Sequence, residues 1–336
     1  MNIREMQEQN EFKTLSQYAT HSVKSQGRKN ELEKCTMRTD FQRDRDRIIH
    51  SKAFRRLMYK TQVFLMPEGD HYRNRLLHTM EVKQIACGIA TALRLNVDLT
   101  EAIALGHDLG HTPFGHSGEH VLSQLCSFGF EHNEQSIRVV EVLENDGEGL
   151  NLMYEVLDGI LNHQTRGEPS TLEGKVVQIS DKIAYINHDI EDAIRANIIK
   201  EEELPKEYIQ LIGQDKRERI HRMIADIVTN SYERSDIIIG HDMKDTIYKV
   251  REFMFKKVYI GSKAKVEEKK AKNLIESLFN YYMEDNSEVE EHFELILSKH
   301  EMTKERMVCD YIAGMTDRFA VRKFNEYFVP KSWDVY

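Results

Sequence analysis

Apolar residues recur along most of the chain at three- and four-residue spacing, the period of a helix that buries one face. The pattern runs from near Tyr72 to about Leu95, where His78, Val82, Ile85, Ile89 and Leu93 form one stripe, and again through Leu99, Ala102, Ile103 and Gly106. It continues from Val121 to Phe128 and from Phe130 to Leu143, with His132 in the first turn of the latter. Ser170-Thr171-Leu172-Glu173 reads as a capping box that opens a long helix. Beyond Leu204-Pro205, helices are predicted over roughly 217–232, 242–260, 266–283, 288–298 and 303–328. A break is expected at Met66-Pro67-Glu68-Gly69-Asp70, and Ile237 to Ile239 is the one candidate for a short strand. The predicted fold is therefore all-α: a polar N-terminal arm or short helices over 1–36, a helical core over 37–200, and a C-terminal helical region over 201–336 that packs on the core and completes its site.

With 336 residues, 40% of them hydrophobic, the chain can bury a substantial core. No apolar stretch approaches the roughly 20 residues that span a bilayer, and the first residues, MNIREMQEQNEFKTL, are too polar for a secretory signal, so a cytoplasmic protein with no membrane partner is expected. Cys35, Cys87, Cys126 and Cys309 are scattered without a CxxC pair, which argues against a disulfide framework and a thiolate zinc site. A net charge of -9 disfavours broad attraction to nucleic acid, and a phosphate-bearing ligand would need locally focused cations.

The stretch 104–119, ALGHDLGHTPFGHSGE, concentrates His107, Asp108, His111, His116 and Glu119. Such groups are costly to desolvate without partners, and a divalent metal suits them. His107 and Asp108 end an apolar helix, whereas His116 and Glu119, three apart, share a face of the next one. This suggests an inner pair for a metal and an outer pair for proton transfer. Alone, a histidine such as His78 on an apolar stripe is ordinarily a satisfied core residue; Arg75 on the same face and the His-Asp pair one helix later point instead to a ligand. His132, in a first helical turn, suits a hydrogen-bonding or acid/base role as well as a capping one. On the helix after Thr171, Asp181, Tyr185, His188 or Asp189, and Asp192 share a face amid isoleucines, and buried carboxylates there need a cation or donors. The arginines of 38–60 fit either a salt-bridged solvent face or a phosphate-facing one. Near the end, DYIAGMTDRFA (310–320) joins Tyr311, Asp317 and Arg318 around Gly314.

Together, AFRRLMYKTQVF (53–64), NRLLHTMEV (74–82), GHDLGHTPFGHSGE (106–119), FEHNEQS (130–136), IAYINHDIEDA (183–193) and DYIAGMTDRFA resemble the deoxyguanosinetriphosphate triphosphohydrolase family of the HD-domain metal-dependent phosphohydrolases. The resemblance covers most of 38–195 and a C-terminal island. It implies an HD-domain helical bundle with additional C-terminal helices, and hydrolysis of dGTP or other dNTPs to deoxynucleoside and inorganic triphosphate. It also implies His78, His107, Asp108 and Asp181 as ligands of a divalent ion (Mn²⁺, Mg²⁺, Fe²⁺ or Zn²⁺), with His116, Glu119 and His132 as catalytic residues. Arg75, Lys182, Tyr185, Asp189 and Gln62 are the substrate contacts it implies, and Tyr311 and Arg318 are expected to join them. A homo-oligomer, and a nucleotide effector or single-stranded DNA as further partner, are expected on the same ground. The competing readings are another HD-type phosphohydrolase, a phosphomonoesterase or phosphodiesterase, and a non-catalytic nucleotide- or DNA-binding regulator.

Overall fold

The computed structural model describes residues 1–62, 65, 73–259 and 264–331. Among them there is no strand, only two isolated bridges, Arg28 to Met153 and Thr61 to Asn74. The helices are α1 (Ile3–Thr14), α2 (Asp40–His50), α3 (Lys52–Arg56), α4 (Arg75–Ala92), α5 (Val97–Gly106), α6 (His116–Leu125), α7 (His132–Arg138), α8 (Tyr154–Leu161) and α9 (Leu172–Arg195). They continue with α10 (Lys206–Ile212), α11 (Lys216–Ser231), α12 (His241–Met254), α13 (Ala264–Glu284), α14 (Ser287–His292), α15 (Glu294–Leu297), α16 (Lys304–Gly314) and α17 (Asp317–Phe328). No described helix is long and apolar enough to cross a membrane.

The apolar stripes account for the packing. α4 lies along α5 and α9, and α5 also meets α2 and α8. Fully buried Ile85, Ile89, Leu99 and Ile103 fill this first core, each contributing about 1.5–3 kcal/mol by leaving water. A second core joins α6 to α13, α16 and α17 around Leu122, Leu278, Tyr282 and Ile312. Leu143 packs against both cores. The N-terminal segment is pinned to the first: Arg28, inserted between Asp40 and Asp44, also donates to Asn151 O at 2.8 Å.

Several expectations need correction. α4 begins at Arg75, where Asn74 accepts the Leu77 N–H at 2.9 Å, and the break placed at 66–70 lies outside the described residues. Ile237 to Ile239 form no strand; the Ile238 N–H is taken by Ser231 Oγ at 2.8 Å instead of a neighbouring strand. The helix expected over 303–328 is two, because Met315 and Thr316 turn extended and Thr316 caps α17. The one expected over 288–298 likewise breaks at Phe293.

The Ser170 to Glu173 motif is also not a capping box. Thr171 caps α9 by accepting the Gly174 N–H, and Ser170 binds Asp158. Glu173 is fully buried and accepts from Asn96 N, Thr20 N and Thr20 Oγ1 at 2.9, 3.0 and 3.0 Å. It therefore ties the N-terminal segment to the start of α5.

Candidate active site

The inner group is assembled from three helices of the first core. α5 ends where it presses on α8: a Cβ on Gly106 would lie 2.5 Å from Ile160 Cδ1. Past it, His107 and Asp108 turn inward, 0% and 3% exposed. His107 Nδ1 donates to Ala104 O at 2.7 Å, which fixes the tautomer and leaves Nε2 bare, buried and without a hydrogen-bond partner. Ligand atoms of His78, His107 and Asp108 all lie within 4.8 Å of one another. Asp181 of α9 stands outside that circle and joins it through His78, Nε2 to Oδ1 at 3.1 Å.

Arg75, one turn before His78, donates Nη1 to Asp108 Oδ2 at 2.7 Å and Nε to Thr61 O at 3.2 Å, while Nη2 has no partner. Burial alone would raise both carboxyls of this group. The His107 imidazole, the Arg75 guanidinium and the imidazoles of His111 and His78 around it overcome burial and hold Asp108 well below the usual range. His78 does the same for Asp181, at about 2. A buried carboxylate, a partly buried one and two imidazoles, one with an orphaned lone pair, form a donor set that fits a divalent cation.

The outer group is built on Glu119. Its Oε2 meets His116 Nδ1 at 3.1 Å, and its Oε1 meets His132 Nδ1 at 2.8 Å and accepts the His132 N–H at 2.9 Å. Burial would raise the carboxyl, but the bonds from His116 and His132 hold it well below the ordinary range. The His116 side chain is 80% exposed against 15% for Glu119, so the pair faces outward from the buried ligands. Close backbone approach sets this arrangement: a Cβ on Gly110 would fall 2.2 Å from Ser136 N and 2.4 Å from His132 O, which brings α7 against the His-Asp turn.

Two histidines without an assigned role complete the group. His163, at the end of α8, presents Nε2 to His132 Nε2 at 3.2 Å. His111 stacks on His132, centroids 3.9 Å apart and planes 18° apart; burial and Arg75 push it well below the usual histidine value. Asp108, His111 and His132 also form a compact trio. It is a poor second ion site, because both nitrogens of His132 are engaged and stacked rings direct their lone pairs in parallel.

Lys182 and Tyr185 lie next to Asp181 on α9, and α12 faces them. Burial lowers Lys182, Asp181 opposes, and the charges of Arg251 and Lys244 lower it further. Burial likewise pushes the Tyr185 hydroxyl up to about 12, and pushes Asp189 well above the carboxylate range with help from Asp192 and Asp181. The cations at 244 and 251 were not singled out in the sequence, since only the tertiary fold turns α12 onto α9. Gln62 is half-buried, with Oε1 unpartnered.

Tyr311 and Arg318, the two remaining expected contacts, have partners of their own within the protein. The Tyr311 hydroxyl donates to Glu288 at 2.6 Å within the second core, and the exposed Arg318 lies over the Tyr59 ring at 5.3 Å.

An all-α bundle in which a His-Asp turn meets a histidine from the preceding helix is the architecture of HD-domain phosphohydrolases. The HD domain family matches residues 75–186, and the phosphohydrolase-associated domain matches 237–326. Over nearly its whole length the chain is similar to proteins called deoxyguanosinetriphosphate triphosphohydrolase-like. One, from Caldanaerobacter subterraneus subsp. tengcongensis, is 60% identical over 99% of this chain and 98% of its own. Others, from Desulfatibacillum aliphaticivorans and Clostridium perfringens, are each 47% identical over 98% of this chain and 99% of theirs. The chain belongs to the deoxyguanosinetriphosphate triphosphohydrolase-like family.

Proposed function

We propose that this phosphohydrolase cleaves deoxynucleoside triphosphates between the α-phosphorus and O5′, releasing a deoxynucleoside and inorganic triphosphate. The observation that carries this reading is a buried ligand group flanked on one side by the solvent-facing His116–Glu119 pair and on the other by Lys182, Lys244 and Arg251. His78, His107, Asp108 and Asp181 would hold a divalent ion, with Mn²⁺, Fe²⁺, Mg²⁺ and Zn²⁺ all compatible with such donors. When bound, that ion supplies Lewis-acid polarisation of phosphoryl oxygens and of water.

The chain's own residues do the rest. Arg75 has a buried, unpartnered Nη2 to offer a phosphate oxygen. Lys182, Lys244 and Arg251 offset the triphosphate charge, which a chain of net charge -9 would otherwise repel. As a water oxygen adds to the α-phosphorus and the bond to O5′ breaks, O5′ needs a proton, and His116 held by Glu119 is placed to give it. Tyr185, half-buried beside Lys182, forms a wall suited to excluding a ribose 2′-hydroxyl, with Gln62 to hold the 3′-hydroxyl.

The test is to incubate metal-loaded protein with each dNTP and matching NTP and resolve the products by ion exchange. Deoxynucleoside plus triphosphate is expected. Monophosphate plus pyrophosphate, or free phosphate, would replace this reading with another HD-type hydrolysis, and no turnover with bound metal would replace it with a regulator.

A further inference from the structure

The C-terminal region reaches the catalytic loop through one buried carboxylate. Asp317, the first residue of α17, is 3% exposed. Its Oδ1 accepts the Phe114 N–H at 2.9 Å, and its Oδ2 accepts the Thr61 N–H at 2.9 Å together with the Thr61 hydroxyl. It does not cap its own helix, a task done by Thr316, which accepts the Phe319 N–H. Both segments it grips belong to the site: Thr61 O receives Arg75 Nε, and Phe114 lies two residues before His116.

Phe114 is a residue that needs holding. Its φ is +60, a left-handed conformation costly for a bulky side chain, and Gly115 follows at φ 56 and ψ -132, open to glycine. Such a turn persists only where its surroundings over-determine it. Here Asp317 holds Phe114, and Thr112 Oγ1 donates to Gly115 O at 2.9 Å. Buried Lys60, donating to His111 O and Ala313 O, joins the start of the same loop to the end of α16.

We propose that Asp317 is a positioning residue: it fixes the Phe114–Gly115 turn and so sets the direction in which His116, at the head of α6, meets the substrate. This rests on the proposed hydrolysis only where rate is the readout. The ligand helices α4, α5 and α9 lie in the other core, but Thr61 also holds Arg75 and through it Asp108, so bound metal is measured beside the rate to tell the turn's role from ion binding.

Asp317→Asn preserves volume but turns one carboxylate oxygen into an NH₂ that cannot accept. Hydrogen exchange read by mass spectrometry over 112–118 tests the turn without turnover; faster exchange there, with α4 and α9 unchanged, is expected. In dNTP hydrolysis the same variant should lose about tenfold or more in kcat, as for a misplaced catalytic group. Its KM should shift less than about twofold and its bound metal should stay at the wild-type level. In a double-mutant cycle, Asp317→Asn should add little to His116→Ala. If Asp317→Asn does not fold, Thr112→Val removes the turn's other bond at nearly constant volume and is read the same way. Unchanged exchange over 112–118, unchanged kcat despite faster exchange, or losses that add to those of His116→Ala would overturn the assignment. A wild type that turns over no nucleotide would instead remove the functional reading and leave the exchange result to decide this one.

Discussion

His132 Nε2 stands 3.2 Å from His163 Nε2, and because His163 Nδ1 donates to Ile160 O at 2.7 Å, the hydrogen in that contact belongs to His132. Glu119 Oε1 lies 2.8 Å from the other nitrogen of His132, so the ring is engaged at both nitrogens and cannot turn without losing a contact. Burial, with the charges of His107 and His132, pushes His163 down to about 4 from an ordinary 6.5. The unfolded chain takes up this proton below about 6.5, whereas the folded protein does so only near 4. Between the two the unfolded state binds more protons, so this contribution is intact above about 6.5 and is lost as pH falls toward 4, by roughly 3 kcal/mol at most. Urea midpoints of chelator-treated wild type and His163→Gln, compared from pH 7 to 4, should converge as the pH falls; parallel curves would show that His163 is not the group responsible.

Removing an inner and an outer residue should have different consequences. Asp181→Ala strips a carboxylate from contact with His78 and should weaken metal binding by at least about tenfold and abolish turnover. His116→Ala, at an exposed position, should retain the metal and lose about 10²–10⁴ in kcat. Metal content by atomic emission beside the rate decides this. Metal loss in His116→Ala would mean that the two shells are misassigned.

Glu173→Ala should cost about 2–4 kcal/mol, because it leaves the buried Asn96 donor and the partly buried Thr20 donors unanswered. A denaturant titration would reveal it, together with proteolytic sensitivity in the N-terminal segment. A loss under about 0.5 kcal/mol, the range of a surface substitution, would return Glu173 to a capping role.

Gly110→Ala places a methyl onto the backbone of Ser136 and His132. It should destabilise by about 1–3 kcal/mol and lower kcat further than global stability explains, since α7 carries His132. Thermal melting and rate measured together separate the two effects.

What could be read in advance follows the range of the interaction. The stripes of α4, α5 and α9 and the His107–Asp108 turn are local patterns, and they are where the periodicity predicts them. Asp181 is different: spacing placed it on a face with several other acids, and only resemblance to a family picked it out. Glu173 fitted a local motif, yet its partners lie 77 and 153 residues away. His163, Lys244 and Arg251 gain their roles from neighbours on other helices, for which a linear pattern carries no mark. The resemblance carried by the motifs covers most of 38–195 and the island at 310–320, whereas the relatives align through the stretch between them as well.

His116 and the group of His78, His107, Asp108 and Asp181 stand on opposite banks of a seam between two cores, the first around α4, α5 and α9 and the second around α6, α13, α16 and α17. Heating should loosen the banks at different temperatures, as happens when cooperative units differ in stability. Where the bank that carries His116 is the first to loosen, activity would be lost while the ion-holding half stays folded, and a protein that has fallen silent would still carry its metal.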